Sequence, residues 1–223
     1  MDTFYKAIRL DGTSHYDQAT KWEIGKILRH PNPDPAETGD CGKGLHCSRN
    51  LLDAVGYQQG PSIYLLVQPI DIIKEGKDKV RSASVKPLRY LTPQEVDELA
   101  GFKLWEANHP VNPFLLEAKP MDDLEVKVRK WDSVRTSVGT SVRGSVRGSV
   151  WNSVWDSVRT SVRAYIGGLF PQIKSWRYVE SLGECPWQSL LDLWYAGYIP
   201  STDGKYWYVH AGPKAIIVAK YTI

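Results

Sequence analysis

Cysteine is scarce in this chain. Cys41, Cys47 and Cys185 are the only three, too few and odd in number for a disulfide framework. Long apolar runs are also missing, and nothing approaches the roughly 20 residues needed to span a bilayer. Charge of one sign is not in excess either: the formal net charge is +3 over 223 residues, which makes no global electrostatic case for nucleic acid. The opening Met1-Asp2-Thr3 runs straight into the strand-like FYKAIRL without the pattern of a leader. These absences lead to the expectation of a soluble, cytoplasmic protein with no membrane partner. Its length allows a sizeable core in one or two domains.

The most conspicuous feature that is present lies between Asp132 and Ala164. A four-residue unit repeats there eight times, SVRT-SVGT-SVRG-SVRG-SVWN-SVWD-SVRT-SVRA. An α-helix advances 100° per residue, so each unit would overshoot a turn by about 40° and the valines would spiral around the axis. Val, Ser and Thr are mediocre helix formers, and Gly139, Gly144 and Gly148 are worse. Four is a multiple of two, which suits extended chain, and corners at regular intervals would make a short β-solenoid. A solenoid-like segment is therefore expected, with a long irregular helix as the alternative. Its third position holds only Arg, Gly or Trp, which marks it as exposed. Arg143, Arg147 and Arg159 with Trp151 and Trp155 make a candidate binding face, for self-association or for a single-stranded nucleic acid by phosphate contact and stacking.

Around the repeat, an α+β architecture is expected. Residues 4–10 read as a strand. SRNLLDAVGY reads as a helix capped by Ser48, and PSIYLLVQPIDII as a buried strand bounded by Pro61 and Pro69. VRSASVKPLRYL is strand-like, and TPQEVDELAGF has a capping box from Thr92 and Glu95 with Pro93 at the first helical position. Residues 1–100 then form a mixed head domain, 101–131 a linker, 132–164 the repeat and 165–223 a small α/β cap. In the cap, SLLDLWYAGYI is a helix, residues 200–204 a turn, and KYWYVHA with AIIVAKYTI a hairpin around Gly212-Pro213, anchored by Trp194 and Trp207.

The densest reactive cluster is Cys41-Gly42-Lys43-Gly44-Leu45-His46-Cys47-Ser48. Zinc held by Cys41, His46 and Cys47 with His30 or Cys185 was weighed and set aside, because the spacing fits no standard knuckle. An adjacent His-Cys pair on a strand points to opposite faces, which argues against a nucleophilic couple. The preferred reading is a strand entering a helix, with Cys47 a small buried hydrophobe. His210 and Asp203 suggest acid/base chemistry, but a turn at Asp203-Gly204 and a strand position for His210 explain them.

Tyr5-Lys6-Ala7-Ile8-Arg9, the C-x-x-G-L-H-x-S run from Cys41 to Ser48, Asp53-Ala54 and KVRSASVKPLR together resemble uncharacterised small proteins of phages and their hosts. The tail from Leu193 through Trp207 to His210 is similar to modules that follow SVxx repeats in such proteins. This resemblance implies a non-catalytic accessory or structural protein acting by self-assembly or through a protein partner, in host cytoplasm or virion, with no cofactor. A looser resemblance is to ADP-ribosyltransferases. It implies NAD as cofactor, with Arg9, His46 and Ser48 as the catalytic set in one cleft facing a carboxylate. VRSASVKPLR offers no such carboxylate, which leaves Glu95 and Glu106 as stand-ins.

Overall fold

The computed structural model describes residues 4–37, 39–145, 156–173, 176 and 185–223, with the backbone alone for 136–145 and 156–159. Its elements are helices and antiparallel sheets, so the protein is α+β. Two compact units divide at residue 109: Met1–His109 and Pro110–Ile223.

The first unit is built on five strands. β1 (Phe4–Arg9) runs antiparallel to β4 (Ser62–Glu75), from Phe4 opposite Val67 to Arg9 opposite Ser62. β4 continues against β5 (Val80–Tyr90), which also takes β2 (Leu28–Arg29) and β3 (Leu45–Cys47). A single bridge with two hydrogen bonds, Tyr5 N–H to Ser48 O at 2.7 Å and Ser48 N–H to Tyr5 O at 2.9 Å, ties the end of β3 to β1.

The near-continuous apolar run of β4 follows from burial on both faces. One face packs Phe4, Ile8, Leu65, Val67, Val80 and Val85 with Trp22, Leu45 and Cys47. The other packs Ala7, Tyr64 and Leu91 against α1 (Leu51–Val55), α2 (Pro93–Ala100) and α3 (Leu104–Asn108). Pro69 does not end β4, contrary to the sequence expectation. Pairing with β1 stops at Val67, so Pro69 falls where β4 has β5 on one side only, a position that tolerates a missing N–H.

Thr92 and Glu95 form the expected capping box, and Gly101 ends α2 at φ +75°. Ser48 is not the cap of α1. Its backbone is taken by the bridge to Tyr5, so the chain stays extended, and Asn50 is the N-cap.

In the second unit, α4 (Leu124–Ser145), α5 (Asp156–Gly168) and α6 (Gln188–Tyr195) pack with a three-stranded antiparallel sheet of β6 (Tyr198–Thr202), β7 (Tyr206–Ala211) and β8 (Ile216–Thr222). The core is aromatic. Trp131, Tyr165, Trp176, Trp187, Trp194 and Trp207 are all buried. Tyr165 stacks on Trp194 with centroids 4.9 Å apart, and Trp176 meets Trp187 edge-on at 4.6 Å. α5 approaches α6 so closely that a Cβ at Gly167 would collide with the Trp187 indole, and one at Gly168 would lie 2.7 Å from a Leu191 methyl.

The solenoid-like expectation for the repeat does not hold, and its described residues follow the helical alternative. Residues 133–145 continue α4 and 156–164 open α5, so every described residue of the repeat is helical and none is solenoid-like. The reason lies in the flanks. Val128 and Trp131 before the repeat, and Ala164, Tyr165 and Leu169 at and after its end, are buried in the core. Helix anchored by such packing overrides weak local propensity.

Residues 101–131, expected as a linker, carry α3, a short 3-10 turn at Pro113–Leu115 and the start of α4. Side chains of the second core hold the middle of this stretch. Trp194 Nε1–H donates to Val111 O (3.0 Å), Val111 N–H donates to the Tyr165 hydroxyl (3.0 Å), and the Tyr198 hydroxyl donates to Lys119 O (2.8 Å). Residues 198–202 form strand β6, where the sequence suggested the end of a helix followed by a turn.

Candidate functional site

Arg9 stands at the end of β1, beside a depression of about 420 Å³ lined by Arg9, Leu10, Asp11, His15, Gln18, Gln59 and Pro61. Its guanidinium lies 3.6 Å from Asp11. The Asp11 carboxyl, in turn, accepts the Thr13 hydroxyl and N–H and is held below its ordinary pKa chiefly by those bonds.

His15 is fully engaged. Its Nδ1 accepts Gln59 N–H at 3.3 Å, its Nε2–H donates to Ser62 Oγ at 2.8 Å, and Ser62 donates on to Gly60 O at 3.0 Å. Burial, then the charges of Lys6 and Arg9, push its pKa down. The ring is a neutral brace, with no lone pair left for a substrate.

His46 sits on β3 opposite Arg81, and its Nε2–H donates to Asp40 O at 3.2 Å. Burial, followed by the charges of Lys6 and Lys79, holds its pKa down at about 4, so the ring is neutral at physiological pH. The two neighbouring thiols differ sharply. Cys47 is buried, and desolvation pushes it up to about 12, which keeps it an unreactive thiol. Cys41 is exposed and receives a hydrogen bond from Lys79 Nζ at 3.0 Å. Among the described residues, no three His, Cys, Asp or Glu side chains converge as metal ligands.

Ser48 is 2 % exposed. Its bridge to Tyr5 puts it four residues from Arg9 along β1, about 13 Å at the usual strand rise. Arg9, His46 and Ser48 therefore do not line one cleft: one borders the depression, one faces a backbone carbonyl, and one is packed away. The stand-in carboxylates are also committed elsewhere. Glu95 binds Arg89 and the Thr92 cap, and Glu106 pairs with Lys103 at 3.5 Å.

Residues 3–99 match the model of a domain of unknown function, DUF7666. The DUF7666 match spans β1 through α2, so Arg9, His46 and Ser48 fall inside it and the whole second unit lies outside. No curated protein and no solved structure matches the chain.

Of the repeat residues singled out above, Arg147, Trp151 and Trp155 lie outside the described residues. Arg143 and Arg159 are placed by backbone only, on α4 and α5. The arrangement that sequence reasoning missed lies beyond the DUF7666 region, on the outward face of the β6–β7–β8 sheet.

On that face the Ser201 hydroxyl lies 2.7 Å from His210 Nε2, and His210 Nδ1 lies 3.1 Å from Ala215 O. Beside them Tyr208 donates to Asp203 at 2.8 Å, and Lys220 Nζ lies 3.7 Å from the Tyr206 ring centroid. Asp203 also accepts the N–H groups of Lys205 and Tyr206, the bonds that hold its pKa at about 2. It is the turn residue expected, and not the partner of His210. The only sequence signal for Ser201 was its place in PSTDG, which reads as turn. Its pairing with His210 depends on a strand register that no local pattern encodes.

Proposed function

We propose that this protein is an assembly module that associates with a second copy of itself through β8, in the accessory or structural role that its resemblance to phage-type proteins implies. One observation carries the reading. β8 closes the β6–β7–β8 order, and among the described residues no strand pairs with its outer side. Ile216 and Ile217, on opposite faces of the strand, are 59 % and 57 % exposed, and Val218 and Ile223 are similarly open. A free strand edge carrying large apolar side chains is a template for another strand. Natural edges are usually blunted by inward charges or proline, yet the one charge within β8, Lys220, is turned onto the Tyr206 and Tyr208 rings.

A two-fold axis through Ala219 would set Val218 of one copy opposite Lys220 of the other, Ile217 opposite Tyr221 and Ile216 opposite Thr222. No like charges oppose each other in that register, so a six-stranded isologous sheet results. Among the described residues no helix is long and apolar enough to cross a membrane.

Size-exclusion chromatography with light scattering tests the proposal. The expected result is a dimer that Ile217→Lys or Val218→Pro converts to a folded monomer. A wild-type monomer at high micromolar concentration, or a dimer indifferent to both substitutions, would overturn it.

A further inference from the structure

We infer that Ser201 is an activated nucleophile, with His210 as its general base, able to accept an acyl group from an activated ester. The protonation pattern follows from the partners. A carbonyl oxygen can only accept, so His210 Nδ1 carries the proton that binds Ala215 O at 3.1 Å. In that tautomer Nε2 carries the lone pair and accepts the Ser201 hydroxyl at 2.7 Å. Nucleophile, base and an acceptor that orients the base are the three parts an activated serine needs, and here a backbone carbonyl is the third.

Two irregularities of the backbone produce this alignment. The β7–β8 register shifts between Val209 and His210: Val209 faces Ala219 and His210 faces Ile217, which leaves Val218 as the extra residue of a bulge. Bulges re-aim side chains and are enriched beside active sites. In the turn that follows, Ala215 has φ +47°, a left-handed conformation that an alanine adopts only at a cost. That conformation belongs to the residue whose carbonyl holds the imidazole. Strain retained in the residue that positions a base is the pattern of a functional site.

The surroundings suit a small ester with an aromatic or anionic leaving group. Ser201 is paired with Tyr208, and Tyr206, Lys205 and Lys220 lie on or beside the same face. The step balances without a further reactant. Ser201 Oγ bonds to the acyl carbon while its proton passes to His210 Nε2. The ester C–O bond then breaks, and the departing alkoxide takes that proton, leaving an acylated serine and a free alcohol.

The test uses the full-length chain and a fluorophosphonate, with the adduct mapped by peptide mass spectrometry. The expected adduct is on Ser201. It should be absent in Ser201→Ala and form about 10²-fold more slowly in His210→Gln, the usual contribution of a general base. Circular dichroism checks that both variants fold. Should His210→Gln fail to fold, Ser201→Cys supplies the second reading: the introduced thiol should be alkylated by iodoacetamide faster than Cys41 in the same molecule. No adduct on Ser201 above that on other exposed serines, or a rate unchanged in folded His210→Gln, would overturn the assignment. So would an introduced thiol no faster than Cys41.

Discussion

The two units bury their interiors by different means. In the first, many polar side chains are taken inside and hydrogen-bonded to one another, although the Ser82 hydroxyl is buried with no partner among the described residues. Tyr64 donates to Gln58 Oε1 (2.8 Å), Gln58 Nε2 donates to Asn108 Oδ1 (2.7 Å), and Asn108 Nδ2 donates back to the Tyr64 hydroxyl (2.8 Å). This closed ring of three bonds ties β4 to α3. His15, Ser62 and Gly60 make a second chain, and Trp22 Nε1–H to Ser14 Oγ a third. In the second unit, volume does the work. Among the described residues, the buried indole N–H groups of Trp187 and Trp207 have no hydrogen-bond partner, and the buried Ser161 hydroxyl is in the same condition. A polar network specifies geometry because each member must be placed correctly. An aromatic core supplies apolar area and tolerates a few unmet donors.

The largest effects should separate the two designs. Trp187→Ala removes the indole against which Gly167 and Trp176 pack, and should cost about 3–5 kcal/mol, as such core truncations do. Tyr64→Phe removes one oxygen and almost no volume. It leaves Gln58 Oε1 and Asn108 Nδ2 each short of a partner, at a cost of about 1–3 kcal/mol. Urea unfolding followed by hydrogen exchange would localise both. Lost protection in α6 for the first and in β4 and α3 for the second is expected. A Tyr64→Phe variant as stable as wild type would mean that the ring of bonds does not specify the first unit.

Acid should act on the two units over different ranges. His46 is held at about 4, against an ordinary value of 6.5. Below pH 6.5 the unfolded chain therefore takes up a proton that the folded ring refuses, and the first unit loses stability as pH falls from about 6.5 to 4. His15, also lowered, acts in the same direction. Asp203 in the second unit is held at about 2, against an ordinary 3.8. Its contribution is complete above pH 4 and disappears only as pH falls towards 2. Glu95 adds a similar low-pH limb to the first unit, from 4.5 down to about 2, set first by its bond to Arg89. Amide exchange at pH 7, 5 and 3 should show β4 loosening before α6, with His46→Gln weakening the upper limb. Equal loosening of both units between pH 7 and 5 would remove the electrostatic side of the comparison.

What was legible in the sequence was local. Thr92-Pro93-Gln94-Glu95 wrote its own capping box, the apolar run of β4 announced a buried strand, and Gly212 marked the turn before β8. What was not legible depended on partners distant along the chain. Ser48 looked like a helix cap because nothing nearby shows that Tyr5 claims its backbone. The tetrapeptide repeat looked extended because its own propensities are poor, whereas the packing of Trp131 and Tyr165 at its flanks holds its described residues, 133–145 and 156–164, in helix. Ser201 was hidden for the same reason: β6 is a strand only because β7 pairs with it, and the bulge at His210 belongs to a register. Arg9, His46 and Ser48 matched a pattern of residue types, and the sheet then sent them to different places.

The smallest effect is the sharpest discriminator, because it differs in sign between two buried serines, one in each unit. Ser161 is fully buried in α5 and its hydroxyl has no hydrogen-bond partner among the described residues. Ser161→Ala removes a desolvated oxygen and introduces a better helix former, so a gain of about 1 kcal/mol is expected. Ser62 is equally buried on β4, but it accepts from His15 and donates to Gly60. Ser62→Ala strands the His15 N–H, so a loss of about 1 kcal/mol or more is expected. The same chemical change at the same degree of burial should thus stabilise one unit and destabilise the other, read from the shift in thermal midpoint of each variant. If Ser161→Ala also destabilises, its hydroxyl has a partner in solution and the second unit is as dependent on polar placement as the first. Its aromatic core would then be one support among others.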